Sequence, residues 1–198
     1  MFLYGGYGRN GVISMKKYVR ILLLSAAFAI AYSSIAVSII FSPWFSWSRN
    51  ALSDLGHCIK SDVAVIFNFG LVMSGLMLAL YSTIYLRKET KLTWILLFLT
   101  GFMLQLIGVY DEIYGRIHVI VSTLFFILLD LSPLAYSLEK KIKIGVLLFL
   151  FYLLIWIAYY VNMLKGGIAI PEFITSFIAA VFLISKEFQA AIRERAAV

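Results

Sequence analysis

Between two long apolar runs, the stretch Ser42-Pro-Trp-Phe-Ser-Trp-Ser-Arg-Asn-Ala-Leu-Ser-Asp-Leu-Gly-His57 gathers an amide, several hydroxyls, a carboxylate and an imidazole. Read on a helix, Asn50, Ser53, Asp54 and His57 stand at i, i+3, i+4 and i+7, hence on one face, with Ala51, Leu52 and Leu55 covering the other. A second polar segment, Tyr110-Asp-Glu-Ile-Tyr-Gly-Arg116, adds Asp111, Glu112 and Arg116, and His118 stands at the mouth of the apolar run behind it. Ser122 follows one turn after His118, and Gln105 shares a helical face with Glu112. These faces can converge on one polar pocket, and three chemistries compete for it. Asp54, His57 and His118 form a set of two histidines and one carboxylate that would leave a zinc position open for water. Without metal, His118 or His57 serves as general base for Ser53 or Ser122, oriented by Asp54 or Asp111. In the third reading the pocket needs no cofactor. Arg49 and Arg116 meet a lipid phosphate, while Asn50, Asp54 and His57 tie the loop to helix ends. We favour the third, because interfacial polar residues usually satisfy backbone groups and one another.

The elements that must position these residues are membrane helices. Hydrophobic residues make up 63% of the chain and the mean hydropathy is +0.96, far above the roughly 45–50% apolar share of soluble domains. Apolar runs close to the ~20 residues that cross a hydrocarbon core fall at 21–41, 63–86, 92–109, 117–136, 144–164 and about 168–185. The fold expected is therefore all-α: six transmembrane helices in an antiparallel bundle, since short connections force antiparallel neighbours. The organisation expected is a tail over 1–20, a bundle over 21–185 with an outer loop at 42–62, and a tail over 186–198. Residues 1–14, with four glycines before the Met15-Lys-Lys start, read as an extension or a start-site artefact.

Charge sets the orientation. Of the 17 Lys and Arg residues, all but Arg49, Lys60, Arg116 and Lys165 lie in the tails or in the loops near Arg87 and Lys140. Cytoplasmic loops carry this excess, so both termini are expected inside and Asn50 to His57 outside. The net charge of +7 is this topology signal and an attraction to anionic lipid; nucleic acid is not an expected partner. A multi-pass place in the cell membrane, with lipid as partner and room for oligomerisation, follows. A small-solute transporter stands behind the lipid readings, because the halves show no repeat and the midplane no charge pairs.

Other residues have blander expectations. Trp44, Trp47, Tyr110, Tyr114, Tyr159 and Tyr160 suit the outer boundary as anchors. Gly70 with Ser74, and Ala27 with Ala31, mark faces that pack inward, and Asn68 and Asn162 read as interhelical hydrogen-bond donors. Asp130, deep in the fourth run, reads as a structural carboxylate paired by a lysine such as Lys140. Cys58 is the sole cysteine, which excludes an intrachain disulfide.

The run Ser48-Arg-Asn-Ala-Leu-Ser-Asp-Leu-Gly56 resembles the hallmark of the membrane family catalogued as domain of unknown function 998, in which an Asn-x-Leu-Ser-Asp-Leu-Gly segment follows the first of about six membrane helices. His118 is a second match, to a histidine at the start of a later helix. The resemblance implies the six-span fold. It also implies a distant similarity to Frag/DRAM/Sfk membrane proteins, some linked to lipid-anchor remodelling or membrane trafficking, which makes a lipid hydrolase or transferase an expectation by analogy.

Overall fold

In hydrocarbon every backbone N–H and C=O must be paired within the chain, which for apolar runs of this length leaves the α-helix. The computed structural model describes residues 9–196, with side chains described over 18–192. Residues 1–8, most of the glycine-bearing extension, lie outside the described residues. Six α-helices carry the chain: α1 Arg9–Ile40, α2 Ala64–Ile84, α3 Thr93–Val109, α4 Arg116–Glu139, α5 Ile144–Tyr160 and α6 Ala169–Ala196. Four hold stretches of 23–25 residues long and apolar enough to cross a membrane. α3 and α5, with 17 residues each, extend about 25 Å at 1.5 Å per residue, the short end of what a bilayer needs.

α2 packs against α1 on one side and α3 on the other; α4 follows α3, and α6 closes the bundle against α1 and α4, leaving α5 at the periphery on α4. Small residues set the closest approaches, and the expected inward faces are confirmed: Ala27 and Ala31 are buried, and a Cβ added at Gly70 would collide with Ser34 of α1. A further close crossing, backbone against backbone, was not anticipated. Gly75 of α2 and Gly101 of α3 face each other, and a Cβ at Gly101 would lie 2.6 Å from the Gly75 carbonyl oxygen and 2.9 Å from Ala79 N.

One end of the bundle is tied by charge. Arg20 of α1 bridges Glu89, in the α2–α3 loop, and Glu187 of α6, and Tyr81 of α2 donates its hydroxyl to Glu187. Glu139, at the end of α4, reaches across to the start of α3, accepting from Lys91 N at 2.7 Å, Leu92 N at 2.6 Å and the Thr93 hydroxyl at 2.6 Å. It serves as a cap supplied by another helix for N–H groups that have no partner within α3.

Three expectations are corrected. Asp130 accepts from Trp156 Nε1 of α5 at 3.1 Å, while Lys140 donates to the Glu89 carbonyl at 3.1 Å, so the lysine is held elsewhere. Asn162 sits just past α5 with φ of 59°, the left-handed residue that ends many helices, and not between helices. Asn68 donates to the Gly56 carbonyl at 2.8 Å, fastening the α1–α2 loop to α2 instead of joining two helices.

Candidate functional site

At the opposite end, three loops meet: the α1–α2 loop, the α3–α4 loop and the α5–α6 loop. Within the first, Leu52–Gly56 forms a single 3₁₀ turn, not the two-turn helix that the spacing of Asn50 and His57 suggests. The apolar pair explains the position of the turn. Leu55 is fully buried and Leu52 nearly so, because the loop folds back over the bundle mouth and drives both into the core with Ile35, Phe67 and Ile107. Gly56 closes the turn where α2 leaves no room: a Cβ there would meet the Phe67 ring at 2.8 Å.

Asn50 is the hub of this loop. Its Oδ1 accepts from Ser46 N at 2.9 Å, its Nδ2 donates to Asp54 Oδ2 at 2.7 Å, and its carbonyl accepts from Ala169 N at 3.1 Å. Gly167 N–H donates to the Trp47 carbonyl at 3.0 Å, an approach that needs glycine, since a Cβ would stand 2.8 Å from Asn50 N. Asp54 also accepts from Ala51 N at 3.0 Å. The expectation that Asn50 and Asp54 order the loop therefore has its geometry. Asp54→Ala should strip partners from a half-buried amide and a backbone N–H and lower stability in detergent by about 1–3 kcal/mol; an unchanged melting curve would contradict it.

Two further carboxyls close on Asp54. Glu112, in the turn Glu112–Tyr114, accepts from the Ser53 hydroxyl at 3.1 Å and lies against the Asp54 carboxyl. Glu172, in the first turn of α6 and 7% exposed, accepts from Leu52 N at 2.8 Å and is near enough to feel both other charges. Burial, followed by Asp54, raises the Glu112 carboxyl from its ordinary range to about 7. A folded-state value above the unfolded one stabilises the protein fully below pH ~4.5, and that contribution is lost as pH rises through 7. We expect unfolding to become easier between pH 5 and 8 by about 1 kcal/mol, after allowing for solvent screening of this half-exposed group. Glu112→Gln should flatten the trend, and a wild-type pH profile in that variant would exclude Glu112 as its source.

The neighbouring carboxyl behaves oppositely. Burial works against Asp111, but the Cys58 thiol, the N–H groups of Ile113 and Cys58, and His57 hold it below its ordinary value; the two backbone bonds are 3.0 and 3.1 Å. Asp111 in turn pushes the Cys58 thiol up, so this exposed cysteine is a poorer nucleophile than a free one.

The histidines do not meet as one set. His57 turns its Nδ1 to Ile59 N–H at 3.3 Å, and His118 is buried with Nδ1 2.8 Å from the Tyr110 carbonyl and Nε2 3.3 Å from Ser122 Oγ. Asp54 is committed to Asn50 and Glu112. Among the described residues no three His, Cys, Asp or Glu side chains are grouped as a metal ion needs, so Asp54, His57 and His118 do not fit zinc and no step runs through it. The expected Ser122–His118 pair is present, oriented by a backbone carbonyl and not by Asp54 or Asp111. Gln105 donates to Gly101 O at 3.3 Å within α3; Glu112 lies beyond the end of that helix, so the two share no helical face. Arg49 and Arg116 are exposed.

Below the carboxyls the bundle is hollow. A cavity of about 80 Å³ begins at Ser53 and Glu172 and runs between α1, α2, α3, α4 and α6 down to Phe28 and Leu78. From Phe67 to Leu78 it follows α2 for about 16 Å. Its walls are Leu71, Leu104, Phe125 and their like, interrupted by the hydroxyls of Ser74, Ser122, Ser176 and Tyr32. Neither Glu172 nor the cavity was expected from the sequence. An acidic residue just after a proline at a helix start is the signal that could have found Glu172.

Bundle and cavity together define a polytopic helical protein of membrane type. Residues 25–185 match the family described as protein of unknown function (DUF998), and the chain belongs to it. No curated protein and no solved structure matches the chain.

Proposed function

We propose that this protein binds a single amphiphilic lipid-like molecule, its apolar tail in the cavity between the helices and its polar head at Ser53, Glu112 and Glu172. The cavity carries this reading: it is walled by leucine and phenylalanine and polar at one end, the lining that ligand sites of this kind use. Native mass spectrometry tests it. The purified wild type should retain one co-purifying amphiphile, and Ser74→Leu, which fills the cavity, should lose it; equal retention by both would overturn the reading.

The topology proposed with it has six spans, both termini cytoplasmic and the mouth facing out in the cell membrane, as the charge partition implies. After Cys58→Ser, a cysteine placed at position 89 should resist external reagents in intact cells while one at position 59 reacts. Strong external labelling at 89 would reverse the orientation.

A second reading is a lipid hydrolase or transferase. It is favoured by the His118–Ser122 pair at 3.3 Å, because Ser122 lies on the cavity wall and the Tyr110 carbonyl holds Nδ1–H, leaving Nε2 to accept the serine proton. A long-chain fluorophosphonate should then label wild type and fail with Ser122→Ala. Labelling that persists in that variant would remove Ser122 as nucleophile.

A further inference from the structure

We infer that the membrane-spanning part of the bundle holds a buried water site between α4 and α5, in which one water molecule joins the carboxyl of Asp130 to the hydroxyl of Tyr152. Asp130 stands nine residues before the end of α4, about 14 Å into the span at 1.5 Å per residue. A polar group at that depth marks function by default, because hydrocarbon offers it no partner. Asp130 is 7% exposed, and one of its oxygens is used: Oδ2 accepts from Trp156 Nε1 at 3.1 Å. Oδ1 is buried and has no hydrogen-bond partner among the described residues.

A second orphan faces the same place. Tyr152 precedes Trp156 by one turn of α5, so the two share a helical face, and the contacts of Trp156 with Asp130 and Phe126 turn that face to α4. Tyr152 is fully buried in the same core cluster as Leu129, the residue before Asp130. Its hydroxyl also lacks a hydrogen-bond partner among the described residues. The Asp130 carboxyl lies within electrostatic reach of that hydroxyl, as does Tyr32 of α1, yet neither is bonded to it.

Two buried groups left unpaired side by side are costly, and protein interiors pair nearly all such groups with other protein atoms or with ordered water. What fits here must donate to Oδ1 and accept from the Tyr152 hydroxyl. An ammonium group only donates, which would leave the hydroxyl hydrogen unpaired. A metal ion needs a donor set that is not formed among the described residues. Water does both, and two polar partners are the fewest that hold a buried one. The site also has an entrance: Tyr32 donates its hydroxyl to Ser176 Oγ at 3.2 Å, and both residues line the cavity. Water reaches Tyr152 from the cavity past this pair. The site lies apart from the carboxyls at the mouth and does not depend on which molecule the cavity binds.

Hydroxyl-radical footprinting by X-ray pulses tests the site on the full chain in lipid nanodiscs, because radicals formed from a bound water label the side chain beside it. Tyr81 is the control, equally buried but with its hydroxyl bonded to Glu187. Tyr152 should be oxidised several-fold faster than Tyr81, and after mixing into heavy-oxygen water it should carry the heavy isotope. In Asp130→Leu its labelling should fall to the level of Tyr81. Equal labelling of Tyr152 and Tyr81 in the wild type would overturn the water site, whether or not the variant folds. Undiminished labelling of Tyr152 in a folded Asp130→Leu would overturn the role of Asp130 in holding the water, and labelling by the light isotope alone would overturn the entrance from the cavity.

Discussion

Arg20→Ala lowers the stability of the protein in detergent by about 3 kcal/mol, or roughly 10 °C in melting temperature, the largest loss expected from any single side chain. The side chain of Glu187 is 4% exposed and that of Arg20 15%. Removing the arginine leaves a buried carboxylate with only the Tyr81 hydroxyl to support it. The cluster joins α1, α2, α6 and the α2–α3 loop at one point. It lies one turn beyond Leu78, at the end of the cavity away from its mouth. The exposed partner should matter far less: Glu89→Gln is expected to cost under about 1 kcal/mol. Because a buried pair is held against its own desolvation, Arg20→Met with Glu187→Leu should recover most of what Arg20→Ala loses. A double variant no better than the single one would mean that the charges hold the fold in a way apolar packing cannot replace.

Gly101→Val is the second large effect, about 3 kcal/mol at the upper end of overpacking costs. The obstacle is backbone, the Gly75 carbonyl and the Ala79 amide, which cannot rotate aside as a side chain would. α2 and α3 must separate, and with them the Leu71 and Leu104 walls of the cavity. Gly115→Ala makes the contrast. Gly115 has φ of 52° and ψ of −110° and nothing within 4 Å of an added Cβ, so only backbone strain is added, at about 1–3 kcal/mol. Equal unfolding midpoints for Gly101→Val and Gly115→Ala would show that the α2–α3 crossing is looser than described.

The helices were legible because a bilayer imposes length and composition on them. The run expected over 92–109 is observed as Thr93–Val109, and that over 117–136 as Arg116–Glu139. The family resemblance carried by Asn50 to Gly56 held. What the sequence concealed was partnership across distance. Glu139, Glu187 and Arg20 lie in charged flanks that read as topology signals, and only the packed bundle shows each of them holding another helix. Helical periodicity misled at His57, because a turn of five residues has no i+7 position. It misled likewise at Glu112, which follows the end of α3. Glu172 went unremarked, since hydropathy registers the apolar run over 168–185 and passes over the single charge in the first turn of α6. Cavities leave no mark on a sequence: Ser74 and Gly70 are both small residues on α2, yet one opens onto the hollow and the other packs against Ser34.

The central claim, a tail-binding cavity beneath the carboxyl mouth, is tested most directly by photo-crosslinking with a long-chain alcohol carrying a diazirine in its tail, followed by peptide mapping. The account predicts adducts on Leu71, Leu104 and Phe125, suppressed by Ser74→Leu. Adducts confined to the outward faces at Val65, Phe69 and Ile120, and undiminished in Ser74→Leu, would contradict it.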